Sequence, residues 1–168
     1  MTIDDVCAEA GLSKGAFYVH FASKRALMEA LIDDDAAAVE SLMRDLEQRH
    51  HPAAERLRLL TRLMLERAGD PARTQVLTDV WAAALTDRDI QARLSAATDG
   101  KRRVIRHWVE EAVASGDVAE VPANAVASIL LALDDGLMLH RALDERAFQW
   151  ANVGRAIEAI LAGLTTSA

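Results

Sequence analysis

Four side chains in one short stretch, Lys14, Tyr18, His20 and Lys24, can each donate a hydrogen bond to an anionic oxygen. Residues 10–28 hold no Asp or Glu. Such a set can grip an anion, above all the phosphates of a nucleic-acid backbone. Lys14 can reach a guanine O6 or N7, or a phosphate. Gly15 and Ala16 beside it are small, so the backbone there can come close to base edges. Ser23 opens a helix, which places Lys24 near an N-terminus whose backbone N–H groups already favour an anion.

Two short helices must position these groups. Thr2 can cap the first, with Asp4 and Asp5 favourable in its first turn. Ile3, Val6, Cys7 and Ala10 recur at helical spacing and give it one apolar face. Gly11 lets the chain turn sharply, Leu12 plugs the angle, and Ser13 caps the second helix. Phe17 and Phe21, four apart, point inward. Lys14, Gly15, Ala16, Tyr18 and His20 are left for the outer side. The first turn of such a second helix is the end that helix-turn-helix proteins insert into the major groove.

The charge balance supports one docking face on an otherwise acidic body. The chain of 168 residues carries a net charge of −7. Lys14, Lys24 and Arg25 balance Asp4, Asp5 and Glu9 within residues 1–28, so the whole excess of acid lies in residues 29–168. All three of those acids precede Ala10 and all three bases follow it. A small basic patch of this kind can meet a phosphate backbone while the rest stays in water. Apolar residues make up 51% and charged residues 27%, a globular composition with no membrane-spanning run. The acids near the start argue against a signal peptide. The single cysteine, Cys7, cannot form an internal disulfide; it reads as a small buried side chain in a reducing cytoplasm.

The fold class expected is all-α, an N-terminal helix-turn-helix (residues 1–28) followed by a helical dimerisation domain (residues 29–168). Pro52, Pro71 and Pro122 mark helix starts, and Gly11, Gly69 and Gly116 mark helix ends. Helices are expected over about 3–10, 14–20, 24–49, 53–68, 72–85, 88–115, 123–143 and 147–163. Asp33-Asp34-Asp35 reads as a solvated helix face. Residues 126–139 are apolar nearly all round and must be covered on more than one side. The final helix places Trp150, Val153, Ile157, Ile160 and Leu164 on a narrow seam. A two-fold partner supplying the same two helices would make a four-helix bundle, with Ile129, Leu133 and Leu137 joining the seam. The alternative is a core within one chain.

The stretch Gly11-Leu12-Ser13-Lys14-Gly15-Ala16-Phe17-Tyr18-Val19-His20-Phe21, continued by Ser23-Lys24 and Leu27, resembles the helix-turn-helix signature of the TetR family. Leu133-Asp134-Asp135-Gly136-Leu137 resembles the dimer-helix region of many members. The resemblance implies that Lys14, Gly15 and Ala16 face bases, while Thr2, Tyr18, His20 and Lys24 hold phosphates beside the capping Ser13. It implies double-stranded operator DNA, a small-molecule effector and a second copy of the chain as partners, with no cofactor, no metal and no membrane. It implies a repressor released from its operator by the effector. Helices 53–68, 72–85 and 88–115 would surround the effector, with Leu63, Met64, Leu77, Trp81, Leu85, Trp108 and Met138 as lining. Asp134 and Asp135, in an otherwise apolar helix, would need a partner there or across a dimer.

Family members carry a helix before the one that starts at Thr2. Without it, Phe17, Phe21, Leu27 and Met28 are expected to lose cover, at a few kcal/mol by roughly 25 cal/mol per Å². A reading frame extending upstream by about one helix is the expectation that follows. A dimeric interaction module without DNA binding is the alternative function. An enzyme is the other class, and its signatures are missing: no Gly-rich phosphate loop, no Gly-x-Ser-x-Gly and no His-Glu-x-x-His. His50 and His51 adjoin Pro52 at a helix junction and read as exposed polar residues.

Overall fold

Local caps fix where the helices begin. Thr2 Oγ1 accepts from the Asp5 amide at 3.2 Å and the Asp5 carboxylate accepts from the Thr2 amide at 2.6 Å, a reciprocal box that starts α1 (Ile3–Ala10). Gly11 ends α1 in the left-handed region at φ 64. A Cβ there would meet nothing within 4 Å, so the dihedral, not space, calls for glycine. Ser13 Oγ accepts from the Ala16 amide and starts α2 (Lys14–His20). Ser23 Oγ does the same for Ala26 at the head of α3 (Lys24–Gln48).

The computed structural model describes residues 2–144 and 149–163. Its further helices are α4 (Ala53–Ala68), α5 (Pro71–Ala84), α6 (Arg88–Ala114), α7 (Ala123–Leu143) and α8 (Trp150–Ala162). No strand occurs among the described residues. Pro52 and Pro122 stand at the N-cap positions of α4 and α7, and Pro71 is the first residue of α5. These are the places a residue without an N–H costs least. His50 takes the left-handed conformation at φ 55 just after α3, where a glycine is usual.

Three of the apolar clusters hold the head and body together. Cys7, Phe17 and Leu27, flanked by Ile3, Val6, Phe21 and Leu31, make the small core of α1, α2 and the start of α3. Met28, Ile32, Val80, Ala84 and Ile90 join α3 to α5 and to the start of α6. The main core, around Val39, Met43, Leu60, Ile105, Trp108 and Leu131, ties α3, α4, α6 and α7 together. Phe17, Leu27 and Met28 are therefore buried, contrary to the expected loss of cover, and Phe21 is half-buried. Their cover comes from α1, from α3 itself and, for Met28, from α5 and α6. The exposed large hydrophobic side chains here are instead Leu12 in the turn and Tyr18 and Val19 on α2. Leu12 does not plug the turn: its amide bonds to the Cys7 carbonyl at 2.8 Å while its side chain is half outside.

Asp35 corrects the reading of the Asp33–Asp35 run as a solvated face. Its Oδ1 receives Arg67 at 2.9 Å and Arg73 Nε at 3.1 Å, and its Oδ2 receives Lys101 at 2.9 Å. One carboxylate thus fastens α3 to α4, α5 and α6. Burial pushes its pKa up, but Lys101, Arg73 and Arg67 outweigh burial and hold it below the ordinary carboxylate value. Asp33 is paired as well, with Arg93 Nε at 2.8 Å. Only Asp34 fits a purely solvated role.

Candidate nucleic-acid interface and ligand cavity

Helix α2 presents two unlike faces. Phe17 is 4% exposed and packs edge-on to Tyr18 at 5.3 Å and tilted to Phe21 at 5.6 Å. Lys14, Gly15, Tyr18, Val19 and His20 are exposed, Ala16 is half-buried, and Lys24 is half-buried at the head of α3. The anchoring ring is therefore locked while its neighbours project outward. Thr2 and Ser13 spend oxygen lone pairs on their caps, and each keeps a hydroxyl hydrogen that can be donated to a phosphate. Gly15 has an open side: an added Cβ would lie 3.7 Å from Ser13 Oγ, an ordinary contact.

Lys14 has a partner that sequence reasoning missed. Its Nζ lies 2.7 Å from Asp4 Oδ1, and both side chains are largely exposed. The hydrogen bond to Asp4, reinforced by its charge, raises the Lys14 pKa. The signal was available in the sequence: Asp4 on the first turn of α1 stands ten residues before Lys14, across a tight turn.

A small cavity lies between α4, α6 and α7. Its wall is Leu60, Thr61, Met64, Leu65, Ile105, Leu130, Leu133, Asp134 and Leu137, and it encloses about 10 Å³, the volume of a single water site. Of the residues expected to line a ligand site, Met64 alone is in that wall. Trp108 is fully buried in the main core: its Nε1 donates to Glu47 Oε1 at 3.0 Å and the Arg56 guanidinium sits 5.0 Å above its ring. Leu77 and Met138 pack with Ala68 in a separate small cluster. Leu63 faces a shallow surface groove between α3 and α4. Trp81 is exposed and Leu85 is 82% exposed, because no described residue covers the outer side of α5.

The expected dimer seam also divides. Leu133 and Leu137 turn inward to the cavity, since α7 meets α4 and α6 on that side. Ile157 is buried within the single chain, on the helix that docks on α4 through Arg62 and Glu158 at 2.8 Å. Val153 is half-buried. Ile129, 64% exposed, and Ile160 remain outside, joined by Leu139. The Trp150 side chain and Leu164 lie outside the described residues.

Asp134 and Asp135 sit near the Asp35 hub. Burial pushes Asp134 up to about 6, opposed by Arg73 and Lys101 and assisted by Asp135 and Asp35. Burial raises Asp135 too. No group of three or more His, Cys, Asp or Glu among the described residues is arranged to hold a metal ion. No described helix is long and apolar enough to cross a membrane.

Residues 1–31 match the family described as "Bacterial regulatory proteins, tetR family", and residues 53–166, more than half the chain, match "BetI-type transcriptional repressor, C-terminal". The chain belongs to the TetR family. TetR-family proteins are DNA-binding transcription regulators, not enzymes, and α1–α2 is this member's helix-turn-helix. Three solved structures share the TetR-type fold. A TetR-family regulator from Agrobacterium tumefaciens superposes with a TM-score of 0.82 at 19% identity, covering 99% of this chain and 87% of the other. The MbdR regulator from Azoarcus sp. CIB gives 0.81 at 19% identity, covering 99% and 89%. The fatty acid degradation regulator FadR from Bacillus halodurans gives 0.77 at 13% identity, covering 96% and 87%. No curated protein matches this TetR-family chain by sequence.

Proposed function

We propose that this regulator is a homodimeric repressor whose reading heads, residues 1–28, leave operator DNA when a small molecule enters the helical body, residues 29–168. The observation that carries the reading is the two-faced α2: Phe17 buried, with Lys14, Gly15, Tyr18 and His20 outward. Lys14, Gly15 and Ala16 then face bases, while Thr2, Ser13, Tyr18, His20 and Lys24 hold phosphates. Two such heads must stand about 34 Å apart, one DNA turn, or a multiple of it. The apolar residues left outside on α7 and α8, Ile129, Leu139 and Ile160, support a two-fold contact between those helices.

The cavity between α4, α6 and α7 is the place for the effector. Coupling to the heads runs through α6, whose first turn holds Asp89 against Arg25 at the start of α3. A ligand that favours one head separation shifts the population away from the other.

Fluorescence anisotropy with duplexes from the neighbouring intergenic region tests the reading. Binding should weaken steeply with salt, as expected for phosphate contacts. Lys14→Ala should weaken it further, and Ile129→Glu should give a monomer by light scattering. Absence of salt-dependent binding by the full chain would remove the DNA-reading assignment in favour of a helical interaction module.

A further inference from the structure

We propose that the cavity between α4, α6 and α7 selects a compact apolar molecule with one hydrogen-bond-donating head, an alkyl amine, which Asp134 receives. This deepens the effector reading above and rests on it for the link to DNA.

The polar groups in the cavity wall are acceptors. Asp134 Oδ1 is buried, and among the described residues no group donates to it. Thr61 gives its hydroxyl hydrogen to the Leu57 carbonyl at 2.9 Å, which leaves only oxygen lone pairs on its side chain. The remaining wall is aliphatic or thioether. A buried acceptor with no donor costs free energy until a donor arrives. The nearby cations do not supply it: Arg73 and Lys101 are hydrogen-bonded to Asp35. A ligand carboxylate would set acceptor against acceptor. An ammonium would make a charge-assisted hydrogen bond, about twice as strong as a neutral one. An alcohol of the same length would satisfy the geometry with less energy.

The size of the cavity adds a consequence. At about 10 Å³ it admits no alkyl chain without movement, so binding must part α4, α6 and α7. Leu133 and Leu137 put α7 in that wall, and the outer face of α7 carries Ile129 and Leu139. Entry of the ligand thus acts on a wall shared with the helix proposed to join two copies.

The probes are n-butylamine, n-butanol and butyrate, added to the full chain at concentrations up to about 10 mM, the range of weak small-ligand binding. Thermal shift and calorimetry should rank amine above alcohol above carboxylate. Asp134→Asn should erase at least about tenfold of the amine's advantage over the alcohol, with the far-ultraviolet dichroism of the wild type retained. Butyrate binding as tightly as butylamine, or no binding of butylamine, would overturn the assignment. So would an amine preference that survives in Asp134→Asn. Operator anisotropy with the same probes separates this proposal from the reading beneath it. An amine that binds through Asp134 yet leaves DNA affinity unchanged would uphold the site and refute effector control. Release of DNA by butyrate alone would do the reverse.

Discussion

Lys14 Nζ rests 2.7 Å from Asp4 Oδ1, so the side chain proposed to read a base is held by a carboxylate of the preceding helix. DNA must share or take Lys14 from Asp4, and the carboxylate repels nearby phosphates. An exposed pair of this kind is weak. Asp4→Asn should therefore raise affinity for any duplex by about twofold to fivefold. Anisotropy at fixed salt reads the gain. An unchanged or lower affinity would mean that Asp4 orients Lys14 instead of restraining it.

Gly15 separates folding from DNA reading. A methyl group there meets only Ser13 Oγ at 3.7 Å, and helix propensity favours alanine over glycine by up to about 1 kcal/mol. Gly15→Ala should leave the melting temperature unchanged or slightly higher. It should nonetheless weaken operator binding, because the added carbon occupies the space a base edge needs. Calorimetric melting and anisotropy on one sample would expose the opposite signs.

Asp35 should be among the costliest residues to neutralise. Asp35→Asn leaves Arg67, Arg73 and Lys101 without their shared counter-charge, and breaking a buried pair costs about 3–5 kcal/mol. Denaturant midpoints would show it. The carboxyl's lowered pKa sets the pH sense: its contribution is present above the unfolded value, about 3.9, and is lost as pH falls through the lower folded value.

Asp134 should behave oppositely. Its folded pKa of about 6 lies above the unfolded value, so folding favours the protonated form. Its penalty is absent below about pH 4 and complete above the folded pKa. Asp134→Asn should be more stable than wild type at pH 7.5, by at most about 3 kcal/mol, and equal to it near pH 4. Urea unfolding at both pH values decides the matter. A difference that does not close in acid would refute the raised pKa.

His50→Gly should stabilise the chain by about 0.5–1 kcal/mol, since His50 holds φ 55 just after α3. Thermal melting measures it directly.

The helices and the reading head were legible because their determinants are local. Thr2, Ser13 and Ser23 cap within three residues, Gly11 sets one dihedral, and Phe17 and Phe21 share a face by spacing alone. Lys14 and Tyr18 could be placed outward for the same reason. The apolar cavity was less legible. Seven side chains were expected around a ligand, and only Met64 reached the cavity wall. Leu85 and Trp81 have the right chemistry, but no described residue covers that side of their helix. Asp134 was marked as unusual in an apolar helix, but its neighbours were not readable.

By itself, then, the sequence determined the helical class, the boundaries of α1 to α7 to within a residue, and the outward donors of α2. Capping, periodicity and proline placement act over three or four residues. Only the tertiary structure decided that Asp35 binds Arg67, Arg73 and Lys101, that Leu133 and Leu137 turn inward while Ile129 stays outside, and that Asp134 closes an apolar cavity without a donor. Charge pairing across 32 to 66 residues of chain and the choice of which side of an all-apolar helix is covered depend on neighbours that packing alone supplies.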